Sequence, residues 1–470
     1  MGKFKKYQKS THKLKVGKYY KKKRFSFIID SGYTIFLKED LMSYYNPYLD
    51  DLKDERIEIL EEKLIGDTKH IYAILHRKDI NTCPNCSSIH TIAYGKRKRF
   101  INCDLFSHYK TSFVLEYRRF QCKDCNHIFN DSTNIVLKNE RIAKSTKINI
   151  LLDLKEDHTF KYIAKKNNVS LQTVIDIFDA FINPPRKTLP EVICIDEFKN
   201  LRTADGKYAF LILDPLAHKI VDVLEDRKTE HLEKYFYSIP LEERKKVKYV
   251  VSDMYYPYKT LIKQFFPNAI HVIDAYHYTE YVSNAFNDVR IRIQKQFDEN
   301  SREYRVIKNN WKLLSTFIKD IPVNDMYNAY QQKYTSPSDI INDCLNLSNE
   351  LSGAYSMYQD FLLSIHDVYL HNANEFISKW IETLNQTDIK EFHNIKNTFI
   401  NWKDGIINSF MRFGERRLHN GYIEGINNHI KVIKRISYGY TNFKHFRARI
   451  MYIINQECIS KNYYYYNKFN

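Results

Sequence analysis

No stretch of the 470-residue sequence reaches the run of about 18 apolar residues needed to span a bilayer. Nor is the basic start followed by an apolar stretch of signal-peptide length. These two absences argue against a spanning protein and a secreted one, and a cytoplasmic protein with no membrane partner is expected. Acidic residues are missing from residues 1–24, which carry eleven Lys or Arg. The chain has no internal repeat, and no low-complexity tract exceeds the tyrosine run at 463–466, so solenoid and fibrous architectures are excluded. Disorder is excluded too, because 43% of residues are apolar and 15% aromatic.

What is present starts with charge. The net charge is +17, and residues 1–24 account for +11 of it, leaving +6 for the remaining 446 positions. A basic arm interleaved with Tyr and Phe suits a polyanion, since each phosphate it neutralises releases condensed counterions. Compositional bias toward Lys, Asn, Ile, Tyr and Phe is the plainer explanation of the total charge, but it does not confine the charge to one end. The length implies several domains. Residues 25–82 mix strand-like runs, "FSFIID" and "HIYAILH", with an acidic stretch, and suggest no chemistry.

Eight cysteines are present, and four form the pairs "CPNC" at 83–86 and "CKDC" at 122–125. Two thiolate pairs can close a tetrahedral structural Zn²⁺ site through Cys83, Cys86, Cys122 and Cys125, in preference to a redox pair. The 35 residues between the pairs must then form a small strand-rich subdomain, with "SFVLEYRRF" as one strand. Cys103, His108 and His127 stand near as substitute ligands. Cys194, Cys344 and Cys458 are most simply buried small residues.

In "TFKYIAKKNNVSLQTVIDIFDAF", residues 159–181, a helix bearing Ile163 and Ala164 breaks at "NNVS", with Asn168 in the turn. A second helix then starts with Ser170 as its N-cap and places Val174, Ile177 and Phe178 on one face. The spacing is that of a helix-turn-helix, whose second helix would present Ser170, Gln172 and Thr173 to DNA. "NPPRKTLP" reads as a linker. From residue 191 the pattern alternates short β-branched strands, "EVICID", "YAFLILD", "KIVDVLE", "KYVVSD" and "AIHVID", with helical segments, as in an α/β domain with a mixed sheet. Residues 281–405 read as helical and carry no nameable chemistry.

Asp196, Asp214, Asp253 and Asp274 each end one of those strands. Singly, such residues are more often turn formers than ligands. Together they sit where open α/β sheets hold reactive groups. Far downstream, "NGYIEGINNHIKVIKR" places Ile423, Ile426, Ile430 and Ile433 on one helical stripe, with Glu424, Asn428, Lys431 and Arg435 roughly opposite. Three carboxylates from two strands and a helix suit a pair of Mg²⁺ or Mn²⁺ ions acting on a phosphodiester, and the neighbouring cations, Lys434 among them, suit the DNA strand being cut.

"CPNC", "RRFQCKDC", "IDEFK", "SDMYYPYKTLIKQFFPNAIHVIDAYHY" and "NGYIEGINNHIKVIKRISYGYTNFKHFRARI" together resemble the ISL-three family of bacterial insertion-sequence DDE transposases, from about residue 80 onward. The resemblance implies a ribonuclease-H-like core at 190–280 and 406–460, interrupted by a helical insertion at 281–405. A zinc-binding module at 83–135 and a helix-turn-helix domain at 140–183 would precede it, after the 25–82 segment and the 1–24 arm. It also implies that Asp196, Asp253 and Glu424 are the catalytic, metal-holding triad, that Glu197 is a bystander, and that Asp274 and His277 are accessory. The function implied is binding of double-stranded DNA at the inverted repeats, cleavage with two Mg²⁺ or Mn²⁺, and transfer of the 3′-OH strand to target DNA by a dimer or larger assembly. A DNA-binding regulator with an inactive core, and a nuclease without strand transfer, remain as alternatives.

Overall fold

The computed structural model describes residues 25–28, 34–37, 54–78, 81–106, 109–328, 332–414, 416–418, 420–437 and 440–456. The basic arm, His108, Cys458 and the tyrosine run at 463–466 lie outside the described residues. The chain divides into two compact units, Met1–Phe178 and Asp179–Asn470.

The first unit opens with a short hairpin of β1 (Phe25–Ile28) and β2 (Thr34–Leu37). It is dominated by a sheet of β3 (Ile57–Ile65), β4 (Thr68–Leu75), β5 (Thr91–Phe106), β6 (Tyr109–Cys122) and β7 (Ile128–Asn130). The order is β3-β4-β6-β5, with β7 also on β6, so the 16-residue β5 lies at an edge. The segment "SFVLEYRRF" falls inside β6, as expected. Ile71, Ala73, Leu75, Ile101, Phe113 and Leu115 form the core of one sheet face.

Three helices follow: α1 (Lys144–Asp153), α2 (Phe160–Lys166) and α3 (Leu171–Phe181). The expected helix pair is present in α2 and α3. Thr159 caps α2 by accepting from Tyr162 N at 2.9 Å, and Ser170 caps α3 by accepting from Thr173 N at 3.1 Å. Asn168 takes φ 53° in the turn between them, a left-handed conformation that asparagine tolerates better than most residues. Ile163, Ala164, Val174, Ile177 and Phe178 are all buried, as their spacing requires.

In the second unit the five predicted strands are all present: β8 (Val192–Lys199), β9 (Tyr208–Asp214), β10 (Lys219–Leu224), β11 (Tyr249–Ser252) and β12 (Ile270–Ile273). The sheet order is β10-β9-β8-β11-β12, with β8, β11 and β12 parallel and β9 and β10 antiparallel. Alternation sends Ile193 and Ile195 to one face, where α4 (Thr229–Tyr237) and α6 (Tyr256–Phe265) pack through Leu232, Phe236, Leu261 and Phe265. A short turn of helix, α5 (Leu241–Arg244), lies between α4 and β11. Val192 and Cys194 face the other way, onto α15 (Gly421–Ile436) and α16 (Phe443–Asn455).

The predicted stripe Ile423, Ile426, Ile430 and Ile433 is buried against this face. Each such isoleucine contributes about 1.5–3 kcal/mol relative to exposure. The edge strand β10 is closed by Asn455, whose Nδ2 donates to Ile220 O at 2.9 Å while its Oδ1 accepts from Ile220 N at 2.8 Å. That amide takes the place of a neighbouring strand.

Between β12 and α15 run α7 (Ala275–Gln294), α8 (Arg302–Asn309), α9 (Trp311–Leu314), α10 (Pro337–Leu345), α11 (Asn349–His366), α12 (Leu370–Gln386), α13 (Lys390–Asn401) and α14 (Lys403–Asn408). Small hairpins β13 (Met326–Asn328) with β14 (Lys333–Thr335), and β15 (Arg412–Phe413) with β16 (Arg416–Arg417), complete the segment. The helices share one core, in which Phe286, Phe361, Trp380 and Phe399 are buried. They close on the sheet where α14 meets β12: a Cβ on Gly405 would stand 2.7 Å from Ile273 Cγ1. Gly405→Ala is therefore expected to destabilise the protein by about 1–3 kcal/mol, the usual cost of overpacking, measured as a lower denaturation midpoint with unchanged helix content.

Candidate active site

The strand register fixes the first part of the site. Val251 of β11 pairs with Cys194 of β8, so Asp253, two residues on, lies abreast of Asp196, also two residues on. Ser252 pairs with Ile273 of β12, which brings Asp274 abreast of Asp253. Because β8, β11 and β12 are parallel, all three aspartates stand along one rim, on the face covered by α15. Asp214 ends β9, which runs the other way, and it serves a turn: its Oδ1 accepts from Leu216 N and Ala217 N, each at 2.9 Å.

Each member of the rim is held differently. Asp196 Oδ1 accepts from Glu197 N at 2.7 Å, and its Oδ2 accepts from Asn427 Nδ2 at 2.8 Å. Burial, followed by the negative charges of Asp253 and Glu197, pushes the Asp196 carboxyl up to about 6, against the lowering effect of the Glu197 N–H. Burial also raises Asp253, while the neighbouring His277 ring works in the opposite direction. Two desolvated carboxyls that repel one another form a pocket of negative potential suited to a hard divalent cation. Glu197, on the other face of β8, is engaged by Arg227 and by the Tyr258 hydroxyl, which donates to it at 2.6 Å. Arg227 in turn lies 4.5 Å and 4.9 Å from the rings of Tyr208 and Tyr255.

Glu424 is exposed in the first turn of α15. An acid at this end and Lys434 and Arg435 at the other also suit the helix dipole, so charge order alone assigns Glu424 no chemistry. The link to the rim comes from the next turn, where Asn427 reaches Asp196. Among the described residues, Asp196, Asp253 and Glu424 do not form a cluster with ligand atoms within 4.8 Å of one another. Asp274, buried, accepts from Asn420 N at 3.3 Å through Oδ1 and so tethers the start of α15 to β12.

His277 opens α7 half-buried and lines a depression of about 380 Å³ with Asp253, Tyr255, Glu280, Tyr281 and Asn284. Asn428 and Lys431 are exposed and joined at 3.1 Å, and Arg435 is exposed. Lys434 instead donates to the carbonyls of Lys199 at 3.0 Å and Asn200 at 2.5 Å, fastening α15 to the end of β8.

Asn427 is the residue that sequence reasoning missed. Its Oδ1 is buried with no hydrogen-bond partner among the described residues, an orphaned acceptor on the amide that holds Asp196. The available signal was its spacing, i+3 from Glu424.

In the first unit, Cys83, Cys86, Cys122 and Cys125 bring their sulfurs within 4.8 Å of one another, with Cys83–Cys125 at 3.6 Å and Cys86–Cys122 at 3.5 Å. A tetrahedron with Zn–S bonds of about 2.3 Å has edges of about 3.8 Å. All four thiols are free. The His127 N–H and the Asn85 side chain hold Cys125 down to about 6, while the neighbouring thiols push Cys86 up to about 12, so the sulfurs share their protons within one cluster. The cluster can thus bind zinc. Cys103 and His127 are outside it: Cys103 is buried in the sheet core, and the His127 ring stacks on Phe129. In the helix pair, Ser170 and Gln172 are exposed and Thr173 is half-buried, and Gln172 donates to Asp176 at 2.7 Å.

Comparison with known proteins gives the family. A family model described as "Transposase", of the ISL-three DDE type, matches residues 193–450. That match covers more than half of the chain, from β8 into α16, and the chain belongs to this family of transposases. It is 24% identical over 277 residues to the transposase for insertion sequence element IS1001 of Bordetella parapertussis, covering 58% of this chain and 63% of that protein. It is also 28% identical over 185 residues to a Lactococcus lactis subsp. lactis protein named as an ATP-dependent protease, covering 36% of this chain and 56% of that one. The chain thus spans between half and two thirds of the length of each of these relatives. It carries no G-x-x-x-x-G-K-S/T phosphate loop. No helix among the described residues is long and apolar enough to cross a membrane.

Two measurements check the site. Purified protein is expected to release one equivalent of zinc per chain to a strong chelator, and Cys122→Ser to carry less than a tenth of it, read by metal analysis. Asp196 is destabilising once ionised: with its folded value raised above the ordinary carboxylate range, its contribution is lost as pH rises through about 6. Metal-free Asp196→Asn should therefore melt a few degrees above wild type at pH 8, and the gap should close near pH 4.

Proposed function

We propose that the protein is an insertion-sequence transposase that binds double-stranded DNA at the ends of its element, cuts a phosphodiester at each end, and joins the freed 3′-OH strand to target DNA. The observation that carries this reading is the alignment of Asp196 and Asp253 on neighbouring parallel strands, with the amide of Asn427, one turn beyond Glu424, on Asp196. The mixed sheet, ordered β10-β9-β8-β11-β12 with helices on both faces, supports the reading of a ribonuclease-H-like core.

Asp196, Asp253 and Glu424 are the residues that would hold Mg²⁺ or Mn²⁺. The donors fit: they are oxygens, two of them desolvated and mutually repelling, with the orphaned Asn427 Oδ1 alongside. The chemistry supplied by two such ions is activation of the attacking oxygen and stabilisation of the leaving one. Within the chain, Asn427 orients Asp196, Asp274 and Lys434 fix the two ends of α15, and Asn428, Lys431 and Arg435 offer exposed contacts to phosphates. His277 borders Asp253 on the side of the depression. In the first unit, the zinc cluster would set the shape of a DNA-holding module in which Ser170, Gln172 and Thr173 face bases. Holding two ends at once calls for a dimer or larger assembly on DNA.

With Mg²⁺, the protein should nick a duplex carrying the element's end and join it to a target duplex. Asp196→Asn, Asp253→Asn and Glu424→Gln should bind that duplex and leave it intact. Asn427→Ala and Asp274→Ala should cut about 10- to 100-fold more slowly, as expected when a ligand loses its support. Undiminished cutting by Glu424→Gln would remove it from the site, and nicking without joining would identify a nuclease.

A further inference from the structure

We propose that the ribbon formed by β5 and β6 at the edge of the sheet, through Lys98, Arg118 and Arg119 with Arg97 and Lys96 beside them, holds the phosphate backbone of duplex DNA. The proposal rests on the reading above that this unit holds DNA, and it moves the electrostatic contact away from α3. That helix, "LQTVIDIFDAF", contains two aspartates and no Lys or Arg. It can present Ser170 and Gln172 to bases, but it lacks the cations that dominate affinity for a phosphate backbone.

The ribbon has them. Residues 94–100 and 116–120 contain six Lys or Arg and a single acid, Glu116. Direct pairing places Lys96 opposite Arg118 and Lys98 opposite Glu116, so three cations and one carboxylate share a face. Lys96 is neutralised by Glu116 at 2.8 Å, and Arg99 is spent on the carbonyls of Leu137 and Glu140. Arg97, Lys98 and Arg118 are exposed and make no ion pair among the described residues. Like charges facing one another across a strand pair are destabilising, and Lys96 and Arg118 do so without a second acid to separate them.

Exposed Tyr94 and Phe100 flank the charges, and the half-buried Arg119 guanidinium lies 5.3 Å from the Tyr94 ring. The bulge between Ala93 and Lys96 sets Tyr94 beside Arg119, and it depends on Gly95, whose φ of 99° few other residues adopt. The cysteine cluster stands at the foot of the ribbon: Thr91 pairs with Cys122, so a bound metal would lock the register that displays the cations.

The test uses the full chain and a mixed-sequence duplex of about 30 base pairs, three helical turns, with binding followed by fluorescence anisotropy as salt is raised. Lys98→Ala with Arg118→Ala should lower the slope of log affinity against log salt by about 1.8, since each lost phosphate contact removes about 0.9. Exchanging the two, Lys98→Arg with Arg118→Lys, should restore it. An unchanged slope in the alanine variant overturns the proposal, whether or not that variant aggregates. Aggregation with unchanged slope would assign the charges to guarding the β5 edge against strand addition. The two readings fail separately: wild type that binds the duplex but never nicks it counts against the cleavage reading alone.

Discussion

The parallel pairing of β8 with β11 is the constraint on which the rest of the second unit depends. Two aspartates 57 positions apart become neighbours because Cys194 and Val251 share a rung and each chain continues two residues further. A slip of one residue in either strand would send one carboxylate to the α6 face, where Glu197 already pairs with Arg227 and Tyr258. The buried apolar alternation of Val192, Cys194, Val250 and Val251 holds the register. The helix α15 inherits its position from the same sheet: four isoleucines fix its rotation, Asp274 its start and Lys434 its end.

What the sequence disclosed follows from this. The strands of the second unit were legible because buried parallel strands read as short β-branched runs, and α15 because its isoleucines repeat at helical spacing. The four cysteines were legible from their pairing, and the helix pair from Ser170 and the break at Asn168. Asn427 was not, because a helical wheel names the residues opposite the apolar stripe, Glu424 and Asn428, whereas contact with a sheet edge comes from the flank. Lys434 looked like a free cation for the same reason. Its reach to the carbonyls of Lys199 and Asn200 depends on how close α15 lies to the end of β8, which no local pattern encodes.

The β5 ribbon was illegible for a different reason. Residues 92–98 are exposed on both faces, so the stretch lacks the alternation that marks a half-buried strand, and "GKRKRF" reads as a charged loop. Only pairing with the well-patterned β6, clamped at Thr91 and Cys122, makes it a strand. A segment of this kind folds because its partner does. The two units thus differ in charge: cations on the exposed β5–β6 ribbon in one, carboxylates gathered at a strand edge in the other.

The order of elements along the chain carries a cost during synthesis. The sheet strands β8 to β12 are complete by Ile273, but α15, which covers their apolar face, begins at Gly421. At about 5–20 residues per second, the intervening stretch of about 150 residues takes on the order of ten to thirty seconds to emerge. During that interval Val192, Cys194, Val251 and Val272 have no lid. The helical segment between has a core of its own and so can fold before that lid arrives.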